Sequence, residues 1–248
     1  MNHRIGIIDW GIGGISIYKL IREQSGVPVT YFSDTGVTPY GKMSRTELAS
    51  RLASVIEFLK QRCVTHLVIG CNAASTAIGD LKKPGIPIAG VIEPAIKATA
   101  RLKPKRLGLI GGRRTVVSGV YRRAFDERNI TVHQRIAQPL SALIESGDVS
   151  SEKLRVTATQ IVGPLRNSSH ILLACTHYPA ILPVLASIVS PSTKFIDPAV
   201  EVAGVAKRWK LSGKGKDEFF TTGDPQAMKT AARNAFGVPL RSVRHVAI

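Results

Sequence analysis

The sequence predicts an α/β fold in two similar parallel-sheet halves, and three observations lead there. Short continuous apolar runs alternate with stretches of helical spacing. Three segments recur in the same order about a hundred residues apart. The chain, at 248 residues, is long enough for two domains of that size.

The expected strands are Ile5–Ile8, Val29–Phe32, Leu67–Ile69, Ile86–Val91, Leu107–Ile110, Ile130–Arg135, Ile171–Ala174 and Phe195–Ile196. Most are unbroken apolar runs, as a parallel sheet covered on both faces requires. The expected helices are Ser44–Arg62, Ile92–Leu102, Gly119–Arg128, Glu152–Leu165 and Ala180–Val189. The repeat is the most informative feature. Arg4-Ile-Gly-Ile-Ile matches Arg106-Leu-Gly-Leu-Ile at a displacement of 102 residues. Thr65-His-Leu-Val-Ile-Gly-Cys-Asn matches Ser169-His-Ile-Leu-Leu-Ala-Cys-Thr, and Ile92-Glu-Pro-Ala matches Ile196-Asp-Pro-Ala, each at 104. A joint is expected near Leu102-Lys103-Pro104-Lys105, and Lys210–Lys216 reads as an exposed loop.

Composition narrows the function. Apolar residues at 44% and charged residues at 21% exclude disorder as a description of the whole, and 22 Gly with 14 Pro exclude a collagen-like chain. Three cysteines cannot build a disulfide framework, so a reducing cytoplasm is expected. Neither a leader nor an apolar run near membrane-spanning length is found, so no membrane partner is expected. The net charge of +17 peaks over residues 101–123, with eight Arg or Lys and no acid. No nucleic-acid motif accompanies it and aromatics are only 6%, which argues against a nucleic-acid partner.

The repeat puts Cys71 and Cys175 at equivalent strand ends, where open α/β sheets bind ligands. Each precedes small or hydroxyl residues able to open a helix, whose N-terminus favours a thiolate. Cys63, at the end of an amphipathic helix, reads as packing. A redox pair lacks a CxxC unit, and a zinc site has only His177 nearby, so no metal is expected. The remaining option is an acid and a base on opposite faces of one carbon. Gly11-Ile-Gly-Gly14 is a poor dinucleotide fingerprint because Ser16 stands where Gly or Ala should. His66 and His170, each just before a core strand, read as structural. Glu93 and Asp197, each before a Pro, read as fixing loops.

Five motifs then become recognisable: Ile7-Ile-Asp-Trp-Gly-Ile-Gly-Gly14, Phe32-Ser-Asp-Thr-Gly-Val-Thr-Pro-Tyr-Gly41, Cys71-Asn-Ala-Ala, Gly90-Val-Ile-Glu-Pro-Ala95 and Ala174-Cys-Thr-His-Tyr-Pro179. In order and spacing over residues 4–225 they resemble the glutamate racemase family, within the wider aspartate/glutamate racemases. The resemblance implies two pseudo-symmetric doubly wound parallel-sheet domains with the active site between them. The expected division is residues 1–95 plus 204–248, and 96–203. It implies racemisation of an acidic amino acid without cofactor, D-glutamate feeding peptidoglycan synthesis, and leaves a homodimer open. Cys71 and Cys175 match the proton-transfer cysteines, and Asp9 and His177 the groups assisting them. Asp34 and Glu145 match acidic positions lining the site, and Asn72 and Thr176 match binders of the amino-acid head group. Tyr40 and Gly41 match the loop receiving the side-chain carboxylate. Trp10 and Ala73 depart from the family's Ser and Thr at substrate-contacting positions. The indole would either tighten the pocket or turn away and pack. Aspartate is therefore an alternative substrate. A catalytically retired fold acting as a binding module is the alternative of a different class.

Overall fold

The computed structural model describes residues 2–248. The chain runs through β1 (Ile5–Asp9), α1 (Ile15–Gln24), β2 (Val29–Ser33), α2 (Arg45–Lys60), β3 (His66–Ile69), α3 (Asn72–Ser75), β4 (Ile88–Gly90) and α4 (Ile92–Leu102). It continues as β5 (Leu107–Gly111), α5 (Arg113–Val117), α6 (Val120–Asp126), β6 (Val132–Ile136), α7 (Gln138–Glu145), α8 (Glu152–Val162), β7 (His170–Ala174), α9 (Leu182–Ile188) and β8 (Lys194–Ile196). It ends with α10 (Pro198–Arg208), β9 (Glu218–Thr221), α11 (Pro225–Phe236) and β10 (Arg244–His245).

Two parallel sheets result. One has the order β10-β9-β2-β1-β3-β4 and the other β6-β5-β7-β8. The orders β2-β1-β3-β4 and β6-β5-β7-β8 are the same, so the sequence repeat is a repeat of topology. β9 and β10 extend the first sheet beyond β2. The central strands β1 and β5 are buried at every position, which is why both read as continuous apolar runs. The chain leaves the first sheet along α4 and returns along α10, and these two helices pack on each other. A cut at 95/96 and 203/204 thus runs through α4 and α10 and leaves the strands of each sheet on one side.

Local chemistry explains the well-bounded helices. Ser44 and Glu47 form a reciprocal capping box on α2. Asp197 caps α10 by accepting the Ala199 N–H, and Asp224 caps α11. Gly237, at φ +67°, ends α11 in the left-handed region that glycine adopts without strain. Helices α1, α5, α7, α10 and α11 and strands β9 and β10 lie outside the elements expected from the sequence. Glu93 is not in a loop: it sits in the first turn of α4 and pairs with Lys97. Cys63 is also corrected. It is exposed in a positive-φ turn after α2 rather than packed. No helix among the described residues is long and apolar enough to cross a membrane.

Candidate active site

The site lies where the strand ends of the two sheets meet. β1 delivers Asp9, the turn after β3 delivers Cys71, and the turn after β7 delivers Cys175, Thr176 and His177. The loop after β2 carries Asp34 to Gly41, and α7 carries Glu145.

The two halves are joined by buried and part-buried polar contacts. The Thr176 hydroxyl donates to Asp9 Oδ2 at 3.1 Å. Glu145 Oε2 accepts the Ile12 N–H at 2.9 Å and lies 2.6 Å from His177 Nε2. The glycine turn Gly11–Gly14 makes room for this. A Cβ on Gly13 would lie 2.5 Å from Thr176 Oγ1 and 2.7 Å from His177 Nδ1, and one on Gly11 would collide with the Glu145 carboxylate. Those glycines serve a close approach of the two halves, not a dinucleotide.

The thiols have different surroundings. Cys175 Sγ lies 3.5 Å from His177 Nδ1 and 3.4 Å from the Ser141 hydroxyl, which itself lies 3.3 Å from the Tyr178 hydroxyl. Cys71 sits at the N-cap of α3, facing the Ala73 and Ala74 amides. Burial pushes the Cys71 thiol well above its ordinary value, and the Asp9 carboxylate adds to that. The two amides oppose it, and the Cys175 sulfur is close enough to bear on it too. Burial also raises Asp9, against the His177 charge. Burial alone would push the His177 imidazole down. The Cys175 sulfur and the Glu145 carboxylate outweigh it and hold the ring well above the usual histidine range.

Two expected site residues are committed elsewhere. Asp34 is fully buried, and its oxygens take Arg51 Nη2 at 2.7 Å, Arg51 Nε at 2.8 Å, the Tyr40 hydroxyl at 2.8 Å and the Thr222 hydroxyl at 2.9 Å. This places Asp34 beneath the Tyr40–Gly41 loop as its anchor. The Trp10 indole packs on the same apolar cluster as Cys71 and Ala73 and donates its N–H to the Val37 carbonyl at 3.2 Å. The indole is thus held beside Cys71 and Ala73 by packing and by this bond. Asn72 is 3% exposed, and its Oδ1 accepts the Tyr121 hydroxyl at 2.8 Å, but its Nδ2 has no partner. A buried donor left free costs about 1–3 kcal/mol, so this amide suits an acceptor brought by a ligand.

Sequence reasoning passed over Arg51, Arg114, Ser141 and Tyr121. Arg51 had a signal: it falls on the apolar face of α2, at helical spacing from Leu48 and Val55. Arg114 reaches from α5 to Thr76 Oγ1 at 3.0 Å and the Met43 carbonyl at 2.6 Å, across the junction. It borders a cavity of about 390 Å³ shared with Gly41, Arg45, Thr76 and Arg113. The larger cavity, of about 730 Å³ between α4 and α10, contains neither thiol. Among the described residues no cluster of three His, Cys, Asp or Glu is placed to hold a metal.

Two like α/β halves, each bringing one thiol to their junction, have the architecture of a two-domain racemase. The model of the Asp/Glu/Hydantoin racemase family matches residues 5–206. A glutamate racemase of Bacillus cereus is 31% identical over 262 residues, covering 99% of this chain and 97% of that protein. A glutamate racemase of Francisella tularensis, solved in complex with D-glutamate, superposes with a TM-score of 0.88 at 26% identity, covering 99% of this chain and 98% of that one. A glutamate racemase of Thermus thermophilus, solved with beta-chloro-D-alanine, gives 0.86 at 28% identity, covering 100% and 98%. The chain belongs to the Asp/Glu/Hydantoin racemase family, and its full-length likeness is to the glutamate racemases within it.

Proposed function

We propose that this chain interconverts L- and D-glutamate by two-thiol proton transfer at the α-carbon, without metal or pyridoxal phosphate. The observation that carries the reading is the pair of thiols, one from each half, at the single junction where Asp9, Thr176, His177 and Glu145 bind the halves together. In one direction Cys175, as thiolate, takes the α-proton. The Cα–H bond breaks, an S–H bond forms, and the electron pair left on the α-carbon spreads into the substrate carboxylate. Cys71, as thiol, gives its proton to the opposite face. For the other enantiomer the roles exchange.

The remaining residues bind and orient. The free Asn72 Nδ2 suits the head-group carboxylate. The Tyr40–Gly41 loop, held from below by Asp34 and Arg51, suits the side-chain carboxylate. Asp9 and the imidazolium of His177 tune the two thiols. The division at 95/96 and 203/204 is the one we propose for the two domains. D-glutamate made in this way would supply peptidoglycan synthesis in the cytoplasm.

The test follows α-proton exchange in deuterated water together with circular dichroism, on L-Glu, D-Glu, L-Asp and D-Asp, with and without chelator. Exchange and loss of optical rotation with both glutamate enantiomers, unaffected by chelator and abolished by thiol alkylation, is expected. Faster turnover of aspartate would move the substrate assignment. No exchange with any of the four would favour a retired fold.

A further inference from the structure

The repeat gives the two thiols equivalent backbone positions, but only Cys175 has a side-chain hydroxyl against its sulfur. Ser141 comes from α7, one turn before Glu145, and is 8% exposed. Its hydroxyl lies 3.4 Å from Cys175 Sγ and 3.3 Å from the Tyr178 hydroxyl, a fully buried phenol that itself bears on the same sulfur. A serine hydroxyl has one hydrogen and rotates freely about its C–O bond. Toward Tyr178 it donates to the phenol oxygen and leaves a lone pair for a Cys175 S–H. Toward Cys175 it donates to a thiolate. The hydrogen can therefore follow the charge on the sulfur while no heavy atom moves.

We propose that Ser141 is a positioning residue for Cys175, a rotatable donor that holds the sulfur in place and stabilises its thiolate state. This rests on the racemase reading above, in which Cys175 must alternate between thiol and thiolate. The charged and titratable groups around the sulfur are His177 and Tyr178 from its own segment, Glu145 behind His177 on α7, Tyr121 on α6, and Cys71 across the junction. His177 supplies the nearest positive charge, and Ser141 and Tyr178 the neutral hydroxyls beside the sulfur, of which the phenol is held in the core. Cys71 has backbone amides in place of such a hydroxyl.

The test compares wild type, Ser141→Ala and Ser141→Thr. The rate at which iodoacetamide labels Cys175 is measured against pH by peptide mapping, beside racemisation kinetics. Loss of a hydrogen bond to a charged sulfur corresponds to about a tenfold or larger change in thiolate population, so the labelling profile of Ser141→Ala should move about one pH unit upward. The profile of Cys71 should stay where it is. Because the enantiomers are equal in free energy, kcat/KM of Ser141→Ala should fall by the same factor, about tenfold, in both directions, with the fall in kcat rather than KM. Ser141→Thr, which keeps the hydroxyl, should restore the Cys175 profile. An unshifted Cys175 profile in Ser141→Ala overturns the proposal, as does an equal shift at Cys71, which would indicate a general loosening of the site. If the wild type racemises neither acidic amino acid, the racemase reading falls, while the labelling comparison still decides the role of Ser141.

Discussion

Cys71 and Cys175 occupy the same place in two copies of one topology, yet they meet different chemistry. Cys71 faces two backbone amides and a carboxylate, and burial holds it toward the thiol. Cys175 faces an imidazole and a serine hydroxyl. The backbone is repeated while the side chains around it are not. A two-base exchange asks each sulfur to serve as acid and as base in turn, and here each is served by a different set of neighbours. The asymmetry extends outward. The loop of the first half is anchored by Asp34 and Arg51, whereas the second half contributes the Glu145–His177 pair.

The most severe way to break the comparison is to remove either thiol. Cys71→Ser and Cys175→Ser should each lower racemisation by at least about a thousandfold, since a hydroxyl is a poor base and one missing carrier stops the relay. A single variant with near-normal racemisation would end the two-base assignment. Next in size is Arg51→Met, which leaves the Asp34 carboxylate buried without its cation. Thermal or urea unfolding should show a loss of about 3–5 kcal/mol, and KM should rise as the Tyr40–Gly41 loop loosens. Unchanged stability would show that Asp34 is satisfied by Tyr40 and Thr222 alone.

Glu145→Gln sharpens the contrast by removing the carboxylate that His177 of the second half and the Ile12 amide of the first half share. The His177 pKa is raised in the folded chain. Its pair with Glu145 therefore contributes stability fully below the ordinary imidazole pKa of 6.5, and loses it as pH rises through the raised folded value. Without the carboxylate that value falls, so the alkaline limb of the kcat profile should move to lower pH. Stability at neutral pH should drop by about 1.5–3 kcal/mol. An alkaline limb that stays in place would separate His177 from catalysis. The smallest effect is expected at Trp10→Ser. The indole packs and bonds to Val37, so the variant should lose thermal stability while the glutamate-to-aspartate ratio of kcat/KM changes by less than about tenfold, within what one methylene discriminates. A larger change would show that the indole meets the substrate.

Much of this molecule is legible in the sequence because its signals are local. The eight expected strands correspond to β1 through β8, and the Cys71 and Cys175 motifs lie at their ends. The reading of the second half fell short around α7, where a short motif gave Glu145 but neither the helix nor Ser141. Helix α1 lies outside the expected elements because its start is a glycine turn without a side-chain cap. The partners of Asp34 and Glu145 could not be read from the sequence. Asp34 needs Arg51 seventeen residues later, and Glu145 needs Ile12, 133 residues away.

By itself the sequence determined the two-halved parallel topology and the equivalent strand-end positions of Cys71 and Cys175, because unbroken apolar runs and a fixed displacement are properties of the chain alone. Only the tertiary structure decided how the two thiols differ. Which hydroxyl, imidazole or carboxylate reaches each sulfur depends on side chains brought together across the junction from α7, β1 and the turn after β7. Contacts of a few ångströms between distant segments leave no periodicity to read.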